Sequence, residues 1–245
     1  MRTDDGVSDR SQRPARGRDG RRRASHSLDT VVGAAVALLD EAGEPALTFR
    51  ALAARLGGGV GSIYWYVSSK DELLGRAADM VLETVLDDTA DVGSDDPVAD
   101  MRQIALAFYA ATVHRPWLGA YFLRDAGTQP NGLRLYDRMG RQTMRLDLTP
   151  RQRFDAVSAV MAYVVGVAAD RGQDPPAEVR EGRVDLDQHV AGFRDELLAL
   201  DPDEFPFVHH VADEFATHDD VEQFRAGLDL LLAGLRQQSG PSDTP

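Results

Sequence analysis

Cysteine is absent from all 245 residues, which removes disulfide frameworks, thiolate catalysis and cysteine-ligated zinc and suits a reducing cytoplasm. No N-terminal apolar stretch resembles a signal peptide. The longest nearly apolar run, Ala156 to Ala169, falls short of the ~18–20 residues a membrane span needs, so no membrane partner is expected. Alternating β-branched runs are missing, as are internal repeats, so no strand is expected. No nucleophile–base motif or phosphate loop is present, which points away from an enzyme and from any cofactor. Lysine is reduced to a single residue, Lys70, every other basic side chain being arginine.

What is present is helical. Hydrophobic residues make up 43% of the chain, enough for a real core. Their recurrence at helical spacing predicts helices over 27–42, 69–88, 98–114, 116–123, 131–146, 150–170, 187–200, 205–217 and 220–237, with loops at 91–97 and 171–185. Between the first two lie two short helices joined by Gly57, Gly58 and Gly59, a reversal that glycine permits. Ser69-Lys70-Asp71-Glu72 has capping-box spacing, in which the Ser69 hydroxyl accepts the Glu72 N–H and the Glu72 carboxylate reaches back.

The net charge of −13 is unevenly distributed. Residues 1–76 carry 12 basic against 10 acidic side chains, and residues 77–245 carry 15 against 30. Repulsion from phosphate is thus concentrated away from the short helices. Residues 1–24 read as a disordered basic arm whose Arg16, Arg18, Arg21, Arg22 and Arg23 either follow a nucleic acid backbone or only aid solubility.

Thr48-Phe49-Arg50-Ala51-Leu52-Ala53, Leu56-Gly57, Ile63-Tyr64-Trp65-Tyr66-Val67 and Lys70-Asp71-Glu72-Leu73-Leu74 resemble the TetR family of bacterial repressors. Tyr64-Trp65-Tyr66 resembles the branch nearest the tetracycline repressor. The resemblance implies an all-α chain: a helix-turn-helix DNA-binding domain at 25–70, a larger helical ligand-binding and dimerisation domain at 71–238, and a frayed tail at 239–245. It implies a homodimeric, cytoplasmic, nucleoid-associated regulator that binds a palindromic double-stranded operator and is released by a small-molecule effector. The alternative is a ligand-independent co-regulator, for which a collapsed middle domain would be the sign.

In the reading head, Thr48 is a natural N-cap and a candidate phosphate donor, with Phe49 beside it. The resemblance implies that Arg50 reads a base, and bidentate pairing with guanine suits arginine. A salt bridge from Arg50 to Glu44 is the competing reading. Val60, Gly61 and Ser62 occupy the turn that faces base edges. They depart from the amide and proline usual in tetracycline repressors, so a different operator is expected. Ser62, Tyr64 and Tyr66 can donate to phosphates, Trp65 can pack on the sugar–phosphate chain, and Lys70 suits phosphate.

For association, Ser158, Ala162 and Gly166 recur every four residues beside Met161 and Val165, and Phe224, Leu228, Leu231 and Leu235 form an apolar face. The resemblance implies that these two helices pair in a four-helix dimer interface. The middle helices offer Gln103, Phe108, Tyr109, Thr112, His114, Trp117, Tyr121, Phe122, Tyr136, Met139 and Met144 as an apolar wall with polar tips, suited to a lipophilic or multi-ring ligand or simply to core. Leu86 and Tyr121 stand where tetracycline repressors use histidines, which implies that no magnesium–tetracycline site exists here. His210, Glu214 and His218, four apart, allow one enzyme alternative, a metal-dependent hydrolase, or else a solvated polar face.

Overall fold

The computed structural model describes residues 26–124, 129–172 and 176–239. The expected arm lies outside the described residues, as does the tail beyond Ser239. Among the described residues all regular structure is helical, in the order α1 Leu28–Ala46, α2 Phe49–Arg55, α3 Val60–Ile63, α4 Lys70–Asp88, α5 Pro97–Val113, α6 Pro116–Arg124, α7 Pro130–Met144, α8 Pro150–Arg171, α9 Ala177–Arg180, α10 Leu186–Leu198, α11 Pro206–Thr217 and α12 Asp220–Gln238.

Helix starts obey local chemistry. Ser27, Thr48, Ser69, Asp96, Thr149, Asp185 and Asp219 each accept a backbone N–H from the first turn they precede, satisfying donors that a helix leaves orphaned. Gly43 interrupts α1 at φ 70°, so regular helix stops where expected and one further turn carries Pro45. Gly57, also left-handed at φ 68°, makes the reversal between α2 and α3, and Gly58 and Gly59 do not share that conformation. The recognition helix is shorter than expected, with regular turns only over Val60–Ile63 and a looser turn through Tyr66. The presumed loop at 171–185 also contains one helical turn, α9, too short to show a period.

Two cores result. The first joins Val31, Val32, Ala35 and Leu39 of α1, Leu52 and Ala53 of α2, Ile63, and Leu73 to Val81 of α4, and it is completed by Trp117, Leu118 and Tyr121 of α6. The second gathers Leu82, Val85 and Leu86 from the other end of α4 with α5, α7, α8 and α12 around Phe108, Leu135, Met139 and Phe224. Helix α4 is therefore wall to both. Helix α6 crosses α8 closely enough that a Cβ at Gly119 would stand 2.8 Å from the Ala168 carbonyl carbon. The α10–α11 pair packs mainly on itself through Phe193 and Phe215, whose rings meet edge-on at 5.7 Å.

Candidate DNA interface and ligand cavity

The reading head is built on Thr48, whose hydroxyl accepts the Ala51 N–H at 3.1 Å and fixes the start of α2. Phe49 meets Tyr64 edge-on at 4.8 Å, bracing α2 against the end of α3. Arg50 projects outward with no hydrogen-bond or ion-pair partner among the described residues. Its alternative partner Glu44 is engaged elsewhere, accepting from Arg124 at 2.5 Å and lying 3.9 Å from Lys70. The neighbouring Arg55 shows what pairing looks like, forming a two-pronged bridge to Glu41 at 2.5 and 2.6 Å. That hydrogen-bonded bridge holds the Glu41 carboxyl below its ordinary range.

Val60 and Gly61 lie exposed on the first turn of α3, Tyr64 is 60% exposed and Trp65 89%. An indole left this open on a folded surface is large apolar area with a donor at its tip, suited to a partner that offers both. Three other head residues are already engaged within the protein. The Ser62 hydroxyl donates to the Gly59 carbonyl at 2.6 Å, the Tyr66 hydroxyl donates to the His26 carbonyl, and Lys70 donates to the Glu44 carbonyl at 2.9 Å. The capping box also closes one residue further back than expected. Ser69 takes the Glu72 N–H at 3.0 Å, but the Glu72 carboxylate accepts from the Ser68 N–H and hydroxyl at 2.8 and 2.7 Å.

Polar side chains tie this head to the remaining helices. Asp40 on α1 accepts the Trp117 indole N–H at 2.8 Å and the Arg115 guanidinium at 3.2 Å. Arg124, at the far end of α6, grips Glu44, and that hydrogen bond raises the guanidinium's pKa.

A cavity of about 340 Å³ opens beside the same α4 wall. Ala78, Asp79 and Leu82 of α4, Phe108, Tyr121, Phe122, Gln129, Tyr136 and the α8 residues Ser158, Met161, Ala162 and Val165 line it. The middle domain is thus not collapsed. Phe108, Tyr121, Phe122 and Tyr136 stand where a ligand wall was expected, and the other expected lining residues do not. Gln103 is exposed away from the cavity. Thr112 is buried, its hydroxyl donating to the Tyr109 carbonyl at 2.7 Å. Trp117 belongs to the first core, and Met139 to the second at 0% exposure. Asp79 and Gln129 escaped the sequence reading because a lone carboxylate on an amphipathic helix, or a lone amide just before one, is usually solvated surface. The one local signal is Gly75, a turn before Asp79, where a Cβ would stand 2.8 Å from the Gln129 amide nitrogen and 3.2 Å from the Tyr121 hydroxyl.

The expected association faces need correction too. Phe224, Leu228 and Leu235 point into the chain's own core, at 1, 0 and 5% exposure, because α12 packs on α5 and α8. Ser158, Met161, Ala162 and Val165 line the cavity instead of standing only on an outer face. The apolar surface left open comprises Ala159, Ala162 and Gly166 on α8 with Leu230 and Leu231 on α12, the last two 76 and 37% exposed. His210, Glu214 and His218 do not converge. His218 has left α11 and hydrogen-bonds the Glu214 carbonyl at 3.1 Å, and among the described residues no three such side chains are placed to hold a metal ion.

A helical hairpin presenting exposed Arg, Tyr and Trp, set on a larger helical body with a partly open cavity, defines a DNA-binding regulator with a regulatory domain. Residues 31–77 match the family described as bacterial regulatory proteins, tetR family, and residues 90–239 match the tetracyclin repressor-like C-terminal domain. The chain belongs to the TetR family. It is 28% identical over 227 residues to the HTH-type transcriptional repressor DrrR1 of Streptomyces coeruleorubidus, covering 93% of this chain and 82% of that one. The solved structure of SCO7222, a TetR regulator from Streptomyces coelicolor, is 36% identical with a TM-score of 0.72, covering 87 and 99% of the two chains. ActR of Streptomyces coelicolor, solved in complex with actinorhodin, shares the fold at 23% identity with a TM-score of 0.76 over 89 and 99%. Among the described residues no helix is long and apolar enough to cross a membrane.

Proposed function

We propose that this chain is a cytoplasmic, effector-responsive repressor that binds a palindromic operator as a homodimer. The observation that carries the reading is Arg50: a cation presented outward from the helix-turn-helix with no partner among the described residues, beside exposed Tyr64 and Trp65. Arg50 reads a base edge, Val60 offers apolar contact to a thymine methyl, and Thr48, Tyr64 and Trp65 hold the backbone. Ser62, Tyr66 and Lys70 act first as braces for that surface, given their internal hydrogen bonds. Self-association uses the open faces of α8 and α12, which supports two heads about one helical turn apart.

The cavity supports effector control because α4 forms part of its wall while also filling the head's core. A ligand that fits one α4 position better than another shifts the spacing of the two heads by the difference of its two affinities. Selection of bound sequences from random DNA, followed by sedimentation and by release screening, tests the reading. A two-half-site consensus, a dimer at micromolar concentration and a compound that weakens operator binding are expected. A monomer, or the absence of any preferred sequence, would overturn it.

A further inference from the structure

The cavity's charge is one-sided. Asp79 is the single ionised side chain on its described wall, and no lysine or arginine lines it. The Asp79 carboxylate accepts the Asn131 backbone N–H at 2.7 Å and the Asn131 side-chain amide at 3.2 Å. These neutral donors leave two of the carboxylate's roughly four acceptor positions open. Arg134, which is exposed, donates to the Asn131 side-chain carbonyl at 2.7 Å and not to Asp79. Among the described residues no cation lies within ion-pair distance of Asp79.

Phe108, Tyr121, Phe122 and Tyr136 surround the same space. Aromatic faces attract cations, and a carboxylate facing an apolar cavity without a counter-ion favours a ligand that supplies one. Tyr121 and Gln129 bring polar tips against Gly75, one turn along the same face of α4 as Asp79. The volume of about 340 Å³ lies at the lower end of the roughly 300–1,000 Å³ that drug-sized ligands occupy.

We infer that the cavity selects a cationic, ring-bearing effector, an amine-substituted aromatic or fused-ring compound, with Asp79 as its counter-ion. The inference rests on the cavity being the effector site and names the chemistry it admits. Asp79 also links ligand binding to the response. It joins α4 to the first turn of α7 through Asn131, so an ammonium group taking the open acceptor positions of the carboxylate acts on that junction and on the helix that carries the head.

Three fused-ring probes of similar size decide the matter by calorimetry on the full chain freed of nucleic acid: cationic proflavine, neutral acridine and an anionic acridine carboxylate. Proflavine should bind about 10–100-fold more tightly than acridine, as a charge-assisted contact requires, and the carboxylate more weakly than either. Asp79→Asn should remove the proflavine advantage and leave acridine unchanged. Equal affinities for the three probes, or a proflavine advantage that survives Asp79→Asn, would overturn the inference while leaving the effector site standing. Binding of none of the three by protein that still binds its operator would overturn the effector-site reading and this inference with it. The probe ranking on the unaltered chain decides the inference even where Asp79→Asn lowers stability.

Discussion

The reading head and the α8–α12 region both expose large side chains, and the chemistry of what they expose differs. In the head the largest open residues are Arg50, Tyr64 and Trp65, each with a polar or charged tip, with Val60 the apolar exception at 37%. On the other side they are hydrocarbon: Leu230 at 76%, Phe207 at 72% and Phe154 at 56%. Tipped aromatics suit a partner with both stacking surface and phosphate, whereas bare leucine and phenylalanine suit another protein surface. The two regions also differ in self-sufficiency. The regulatory core closes on α4, α5, α7, α8 and α12, while the head's core is completed by α6.

The largest expected effect tests that dependence. Trp117 is 4% exposed and donates its indole N–H to Asp40 across the boundary. Trp117→Ala should cost about 3–5 kcal/mol in chemical denaturation, with the head and body losing structure together. A loss confined below about 1 kcal/mol would show that the head folds without α6 and would break the comparison.

A smaller effect sharpens the other half of it. Arg50 is outward and without a partner among the described residues, so Arg50→Ala should leave the unfolding free energy unchanged within about 0.5 kcal/mol. It should weaken selected operator DNA by about 1–3 kcal/mol and relax one base position. Equal weakening for selected and random DNA would assign Arg50 to the backbone rather than to a base.

The same contrast explains what was legible in the chain. The head announces itself because its contacts are local: Thr48 caps α2, Gly57 turns, and Ser69 caps α4 within a span of about twenty residues. Later helices start in the same local way, at Thr149, Asp185 and Asp219, within a residue or two of the expected starts at 150, 187 and 220. The cavity and the outer faces were not, because they depend on which side of each helix turns inward. Phe224 and Leu228 have the same spacing whether they meet a partner or their own α5. Trp117 and Met139 look like ligand wall until α1 and α5 are seen to cover them. Asp79 has only Gly75, a turn before it, as a local sign, since its meaning comes from Phe108 and Tyr136 arriving from other helices.

The smallest effect concerns the junction itself. The Glu72 carboxyl is lowered from its ordinary 4.5 to about 2, chiefly by the Ser68 backbone N–H, then by the Ser68 hydroxyl and Arg76. A carboxyl whose folded pKa is depressed stabilises fully above its unfolded pKa and loses that contribution as pH falls through the folded value. Glu72 should therefore add an acid-dependent loss of stability between about pH 4.5 and about pH 2. Glu72→Gln should make the dependence shallower in that window and leave its shape above it unchanged. The effect is small because the group is solvated, but the two tryptophans make it readable. With Trp65→Phe, the buried Trp117 becomes the sole indole and reports opening between α1 and α6. Identical acid profiles of Trp117 fluorescence with and without Glu72→Gln would mean that the start of α4 does not hold head and body together, leaving the contacts of Asp40 and Glu44 with α6 as the polar ties between them.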